Sequence, residues 1–244
     1  AVMDTLRILA LESSARAASC AVSENDKIIA YSYQNSGLTH STTLLPMVED
    51  MLKNLGQRLD DMDLIAVAHG PGSFTGIRIG VATAKGLMWG AEKPGVGVST
   101  LEAMAWGCVC LEGALICAAM DARRGQIYNA LFEIKDSAPL RLTEDRAISL
   151  AELASELQNS KKTIFAVGDG AELCYNALGK AGIACRLMPE NIRMQNACGV
   201  ACAALHAPRE AWGDIEPVYL RLSQAERERL ERERLEREKA EKTQ

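Results

Sequence analysis

Short apolar runs open this chain, separated by small polar clusters. Residues 7–11, 18–22 and 27–33 are rich in aliphatic and aromatic side chains, with Glu24-Asn25-Asp26 between the second and third. That pattern predicts three strands, the last two joined by a tight turn. From residue 41 the period changes. Leu44, Leu45, Met47, Val48, Met51, Leu52 and Leu55 fall at helical spacing. They predict a helix over 41–55 with a wide apolar stripe and with Pro46 in its first turn. A strand over 64–68, a helix over 75–90, a short strand over 95–98 and a helix over 100–105 follow.

The pattern then begins again. Strands at 115–120 and 126–134 flank the turn Asp121-Ala122-Arg123-Arg124-Gly125. A helix over 150–158 is opened by Ser149, and a strand over 163–167 ends in Gly168-Asp169-Gly170. A helix over 171–181 and an Ala-rich helix over 197–206 complete the series. Strands, then a glycine turn and a helix, twice over, point to an α/β architecture of two related halves. The expected division falls at 105–112. It gives residues 1–108 and 109–223, with a charged segment over 224–244.

Leu64, Ile65 and Val67 read as a buried strand that stops at His69-Gly70-Pro71-Gly72, and an apolar helix starts near Thr75. A glycine turn ahead of a helix aims unpaired backbone N–H groups at an anion. Gly70 and Gly72 permit backbone angles closed to other residues, and Ser73 or Thr75 can cap the helix. A plain turn is the alternative. No Gly-Lys-Ser/Thr closes the turn as in a P-loop, and the glycine spacing is not that of a dinucleotide fingerprint. The wording Gly70-Pro71-Gly72-Ser73-Phe74-Thr75-Gly76-Ile77-Arg78 resembles the signature of the TsaB (YeaZ) family. That family supplies the bacterial partner subunit in synthesis of N6-threonylcarbamoyladenosine on tRNA. The resemblance covers residues 8–221 and closes on Val218-Tyr219-Leu220-Arg221.

The resemblance implies the actin-like (ASKHA) ATPase fold, which periodicity alone does not single out. Candidate nucleotide or anion contacts are Gly72, Ser73, Thr75, Asp121, Gly168 and Gly170. Asp121 could orient a metal-bound water, or could cap its own loop. Gly168-Asp169-Gly170 resembles the adenosine-side turn of the fold, or is an ordinary strand-to-helix turn. The first turn, Glu12-Ser13-Ser14-Ala15-Arg16, has a carboxylate and hydroxyls but no glycine, so close approach of a phosphate is harder. The catalytic sister family, TsaD (Kae1), carries a metal-binding His-x-x-x-His pair on the helix after the short strand. Thr100 and Met104 stand there in this chain, and neither replaces an imidazole. His40, His69 and His206 are scattered. The chain is therefore expected to be a non-catalytic relative with no catalytic residue and no metal. It is expected to require no cofactor itself, with ATP or ADP as the candidate ligand of the complex. Ser73 lacks a Gly-x-Ser-x-Gly context, so proteolysis is not expected.

Helix 75–90 is apolar on nearly all sides, and Gly76, Gly80 and Ala84 recur four apart. Small residues in one row let another helix approach closely, and Gly inside a helix costs about 1 kcal/mol against Ala. Burial within the domain is the alternative. The resemblance implies that helices 41–55 and 75–90 pack against TsaD, or against a second copy of the chain in a homodimer, as a four-helix bundle. The partner face is expected at Leu44, Leu45, Val48, Met51, Leu52, Gly76, Ile77, Gly80, Val81, Ala84 and Met88. It also implies that TsaD modifies adenosine 37 of tRNAs reading codons that begin with A, and that the ATPase TsaE docks on the TsaB–TsaD pair. The rival reading is an actin-like, nucleotide-dependent kinase or transferase using Asp121 and the 70–76 turn.

Composition narrows the partners. The chain has 244 residues, 48% of them hydrophobic, which suits one large domain or two closely packed small ones. Its net charge is −5 and its pI about 5.4. Broad electrostatic gripping of RNA by this chain alone is disfavoured, so tRNA is expected only through the complex. No apolar run is long enough for a membrane helix, and Asp4 and Arg7 break any signal-peptide pattern. The eight cysteines sit mostly in apolar surroundings without a zinc-knuckle spacing, as buried reduced thiols of a cytoplasmic protein would. Segment 224–244 has strong helix formers and pairs such as Glu228 with Arg232, and reads as a solvated helix or frayed tail.

Overall fold

Leu9 and Leu11 point to one side of the first strand, Ile8 and Ala10 to the other, and all four are buried. The alternation therefore feeds two cores, not one core and solvent. The computed structural model describes residues 5–221, apart from Trp212, together with Arg232. Strands β1 (Arg7–Glu12), β2 (Ala18–Glu24) and β3 (Lys27–Gln34) form an antiparallel meander. After α1 (His40–Leu55), strand β4 (Leu64–Gly70) lies parallel beside β1. Helix α2 (Phe74–Ala91) then returns the chain to β5 (Gly95–Ser99), parallel to β4. The sheet order is β3-β2-β1-β4-β5.

Helix α3 (Thr100–Trp106) crosses to the second half. There β6 (Leu115–Asp121), β7 (Gln126–Lys135), β8 (Ala138–Arg141) and β9 (Arg146–Ser149) are followed by α4 (Leu150–Leu157), β10 (Ile164–Val167), α5 (Ala171–Lys180), β11 (Cys185–Leu187) and α6 (Glu190–Arg193). The second sheet runs β11-β10-β6-β7-β8, with β9 also on β7. Its first strand pairs antiparallel with its second and parallel with β10. Both sheets thus follow one plan, and the fold is the actin-like architecture of two related halves. The 3-10 turn at Leu59–Asp61, β8, β9, β11 and α6 were not legible in the pattern. Each spans four residues or fewer, too short for a periodic signal.

Three expectations need correction. The span 109–223 is not one body. Helix α7 (Ala197–Ala204) packs on β1, β2 and β4 and on α3, and Glu210 pairs with Gly95 at the edge of β5. The chain therefore re-enters the first half after residue 193. The cysteines also divide. Cys20, Cys108, Cys117 and Cys174 are buried, but Cys110 is exposed and Cys185, Cys198 and Cys202 are partly so. Burial pushes the Cys20 and Cys108 thiols up to about 12, which makes them inert. Pro46 sits in the second turn of α1, because that helix starts at His40. No helix among the described residues is long and apolar enough to cross a membrane. The segment 224–244 lies outside the described residues except Arg232, which is helical.

Candidate functional site

Four strand ends converge between the halves: the turns after β1, β4, β6 and β10. They border a cleft of about 920 Å³. Gly72, Ser73, Thr75 and Asp121 line it as expected, joined by Ser14, Arg16, Arg123, Arg124, Asp169 and the segment 218–221. Gly168 and Gly170 lie beneath its wall. A Cβ on Gly168 would stand 2.1 Å from Ala119 O, and one on Gly170 2.8 Å from the Met120 carbonyl carbon. These glycines let α5 pack on the end of β6, and neither lines the cleft.

The first turn sits hard against α2. Ser73 caps that helix by accepting from Gly76 N at 3.3 Å, while its own N–H donates to Ser14 O at 2.6 Å. One of the donors that would greet an anion is thus already used. A Cβ on Gly72 would fall 2.4 Å from Ser14 O, one on Gly76 2.1 Å from Ser13 O, and one on Gly80 2.4 Å from Ser13 Oγ. Ser13 Oγ donates to Gly76 O at 2.9 Å. The glycine row admits this turn, where the sequence pattern suggested a partner helix. His40 Nε2 donates to Ala15 O at 2.8 Å, a turn-holding role its flanking position did not signal.

Glu12 lies under the first turn, 1% exposed. Its Oε1 accepts from Ser14 N at 2.5 Å, and its Oε2 has no partner among the described residues. Burial lifts its pKa from 4.5 to about 7 against the lowering effect of the Ser14 bonds, and the charge of Asp169 adds to the rise. Burial likewise raises Asp169, whose Oδ1 accepts from Gln195 Nε2 at 2.8 Å. Asp121 Oδ1 accepts from Arg123 N at 2.7 Å, so this carboxylate caps its own loop. Thr100 and Met104 are buried on α3, and Met104 Sδ lies 2.8 Å from where a Gly168 Cβ would be. Among the described residues no three His, Cys, Asp or Glu side chains form a metal-holding group.

The expected partner face is mostly interior. Leu44, Val48, Met51, Leu52, Gly76, Ile77, Gly80, Val81, Ala84 and Met88 are buried in this chain, while Leu45 is 42% exposed. A second copy or partner cannot reach the buried ten. The outward side of α2 instead presents Arg78, Ala82, Gly86, Trp89 and Gly90, with Trp89 68% exposed. A Cβ on Gly86 or Gly90 would meet nothing within 4 Å. Both glycines therefore lie in the helix without an internal reason. Gly86 stands inside the helix at a cost of about 1 kcal/mol against Ala, which no contact within the chain explains.

A family model described as tRNA N6-adenosine threonylcarbamoyltransferase, TsaD, matches residues 34–210. The tRNA threonylcarbamoyladenosine biosynthesis protein TsaB of Escherichia coli is 35% identical over 224 residues, covering 88% of this chain and 95% of that protein. Its Bacillus subtilis namesake is 32% identical over 228 residues, covering 91% and 96%. The solved structure of YeaZ from Pseudomonas aeruginosa superposes with a TM-score of 0.75 at 25% identity, covering 88% of this chain and all of that one. With full-length relatives at this identity, the signature at the β4–α2 turn and the shared architecture, this chain belongs to the TsaB (YeaZ) family.

Proposed function

We propose that this chain is a non-catalytic scaffold subunit in tRNA threonylcarbamoyladenosine synthesis. It binds TsaD, supports its active conformation, and leaves the transfer to adenosine 37, on tRNAs reading codons that begin with A, to TsaD. TsaE docks on the pair, tRNA is met only through the complex, and the chain alone forms a homodimer. Any ATP or ADP belongs to the complex. One observation carries this reading: the outer side of α2 combines exposed Trp89 with Ala82, Gly86 and Gly90 four apart. Small residues in a row accept a close helix, and an exposed Trp favours burial in an interface. The kinase reading is weakened by the first turn, which takes the Ser73 N–H and crowds Gly72.

Size-exclusion chromatography with light scattering, on the chain mixed with its cognate TsaD, tests the proposal. A 1:1 complex is expected for the wild type. Gly86→Arg, which points into open space, is expected to keep the fold by circular dichroism and abolish the complex. Absence of a wild-type complex, or a folded Gly86→Arg variant that binds normally, would refute it.

A further inference from the structure

The closing motif Val218-Tyr219-Leu220-Arg221 is not used by the scaffold reading, yet it runs across the mouth of the cleft. Its root is fixed to the first half. Ile215 is fully buried in the core beneath α2, and Lys85 Nζ meets Glu216 Oε1 at 2.7 Å. Val218 N donates to His69 O at 2.8 Å. Val218 O lies 2.3 Å from where a Cβ on Gly70 would stand, and Gly70 has φ 128°. Only glycine leaves room for the segment there. Tyr219 stacks on Phe74 with ring centroids 4.5 Å apart and accepts from Arg78 Nε at 2.8 Å.

Its tip is fixed to the second half. Arg221 Nη1 donates to Ala122 O at 2.6 Å and to Arg123 O at 3.5 Å. The turn it grips is unusual: Arg123 at φ 65° and Arg124 at φ 56° are both left-handed, ahead of Gly125 at φ 74°. Such angles are disfavoured for a residue with a Cβ and persist when neighbours hold them. A guanidinium on two carbonyls of that turn is such a neighbour. Away from the cleft lining, the halves join through the packing of α3 on β6, β7 and β8, through the links after α3 and α6, and through Arg141–Glu102 and Ser99–Asp145.

We propose that residues 215–221 are a built-in latch. They hold the two halves closed across the cleft mouth without a nucleotide, with Arg221 as the catch. The chain ties its own halves together. The inference goes beyond the scaffold reading and does not depend on TsaD binding.

The test uses the full chain without nucleotide. Wild type, Arg221→Ala and Arg221→Lys are compared by small-angle scattering and by hydrogen–deuterium exchange. Arg221→Ala is expected to raise the radius of gyration and to speed amide exchange over 121–127 by about tenfold, the weight of one hydrogen bond from a charged donor. Exchange in α4 and α5 is expected to stay as in wild type, which separates latch release from unfolding. Arg221→Lys, which keeps the charge and a donor, is expected to fall between. An Arg221→Ala radius equal to wild type would overturn the latch, even if the turn alone loosened, since Arg221 would then be only a local cap. A wild-type chain that closes only on adding Mg-ATP would overturn it too.

Discussion

Glu12 stands where this protein's chemistry departs from its overall acidity. The carboxyl is buried beside Ser14, and its pKa of about 7 lies above the ordinary 4.5 because burial penalises the charged form most. Below pH 4.5 it is protonated whether the chain is folded or not, and it takes nothing from stability. Between 4.5 and 7 the unfolded chain releases the proton first, so stability falls as pH rises. Above 7 the full penalty applies, about 3 kcal/mol from the size of the shift. Asp169, raised by the same cause, tilts stability in the same direction. Glu12→Gln is expected to remove most of this slope. It should gain stability relative to wild type at pH 8 and gain little or nothing at pH 5, as read by urea unfolding at both values. Equal effects at the two pH values would show that Glu12 ionises normally in the folded chain. None of this could be read from sequence. The missing glycine in the first turn was visible, but that the turn would fold down onto α2 and seal Glu12 beneath it depends on packing.

On helix α2 the apolar residues were legible and their direction was not. The composition put aliphatic or small residues all around it, and pattern alone cannot choose which side faces the sheet when both are apolar. Volume decides. Ile77, Val81 and Met88 fill the space over β1 and β4, and Gly76 and Gly80 make way for Ser13. The small residues left outward are Ala82, Gly86 and Gly90. Two glycines ten residues apart on one helix should therefore respond in opposite ways. Gly76→Ala drives a methyl onto the Ser13 carbonyl and is expected to destabilise by about 1–3 kcal/mol. Gly86→Ala meets nothing, adds helix propensity, and is expected to stabilise the isolated chain by about 1 kcal/mol. Thermal or urea unfolding of the two variants gives both signs. A destabilising Gly86→Ala would mean that the homodimer formed by the chain alone packs closely on this face. Of the eleven residues expected at a partner face, ten are buried in this chain, so the alternative, burial in the domain, holds for them.

At the scale of the molecule the repeat of strands and glycine turns was enough to suggest two related halves, because each half spells its own parallel and antiparallel strands. What it could not show is that the halves share elements. Helix α3 packs on α7 and β4 on one side and on β6, β7 and β8 on the other. Gly199 is the contact point, where a Cβ would stand 2.1 Å from Ala103 O. With α7 returned to the first sheet, the core over β6 cannot be lost without freeing α3, and with it the cover of β4 and β5. The halves should then unfold together. Leu153 is fully buried in the core of the second half that also holds α5 and one face of β6, and Leu153→Ala is expected to destabilise by about 2–5 kcal/mol. Trp89 and Trp106 belong to the first half, so in a Trp212→Phe background their fluorescence reports on the part that was not mutated. If α3 couples the halves, the Leu153→Ala midpoint in urea falls by the same amount in tryptophan fluorescence as in far-ultraviolet circular dichroism. A fluorescence midpoint that stays at the wild-type value while the dichroism splits into two steps would show independent halves. In that case the joint around α3 would be a linker, and the closure of the cleft would rest on Arg221 together with the Arg141–Glu102 and Ser99–Asp145 pairs.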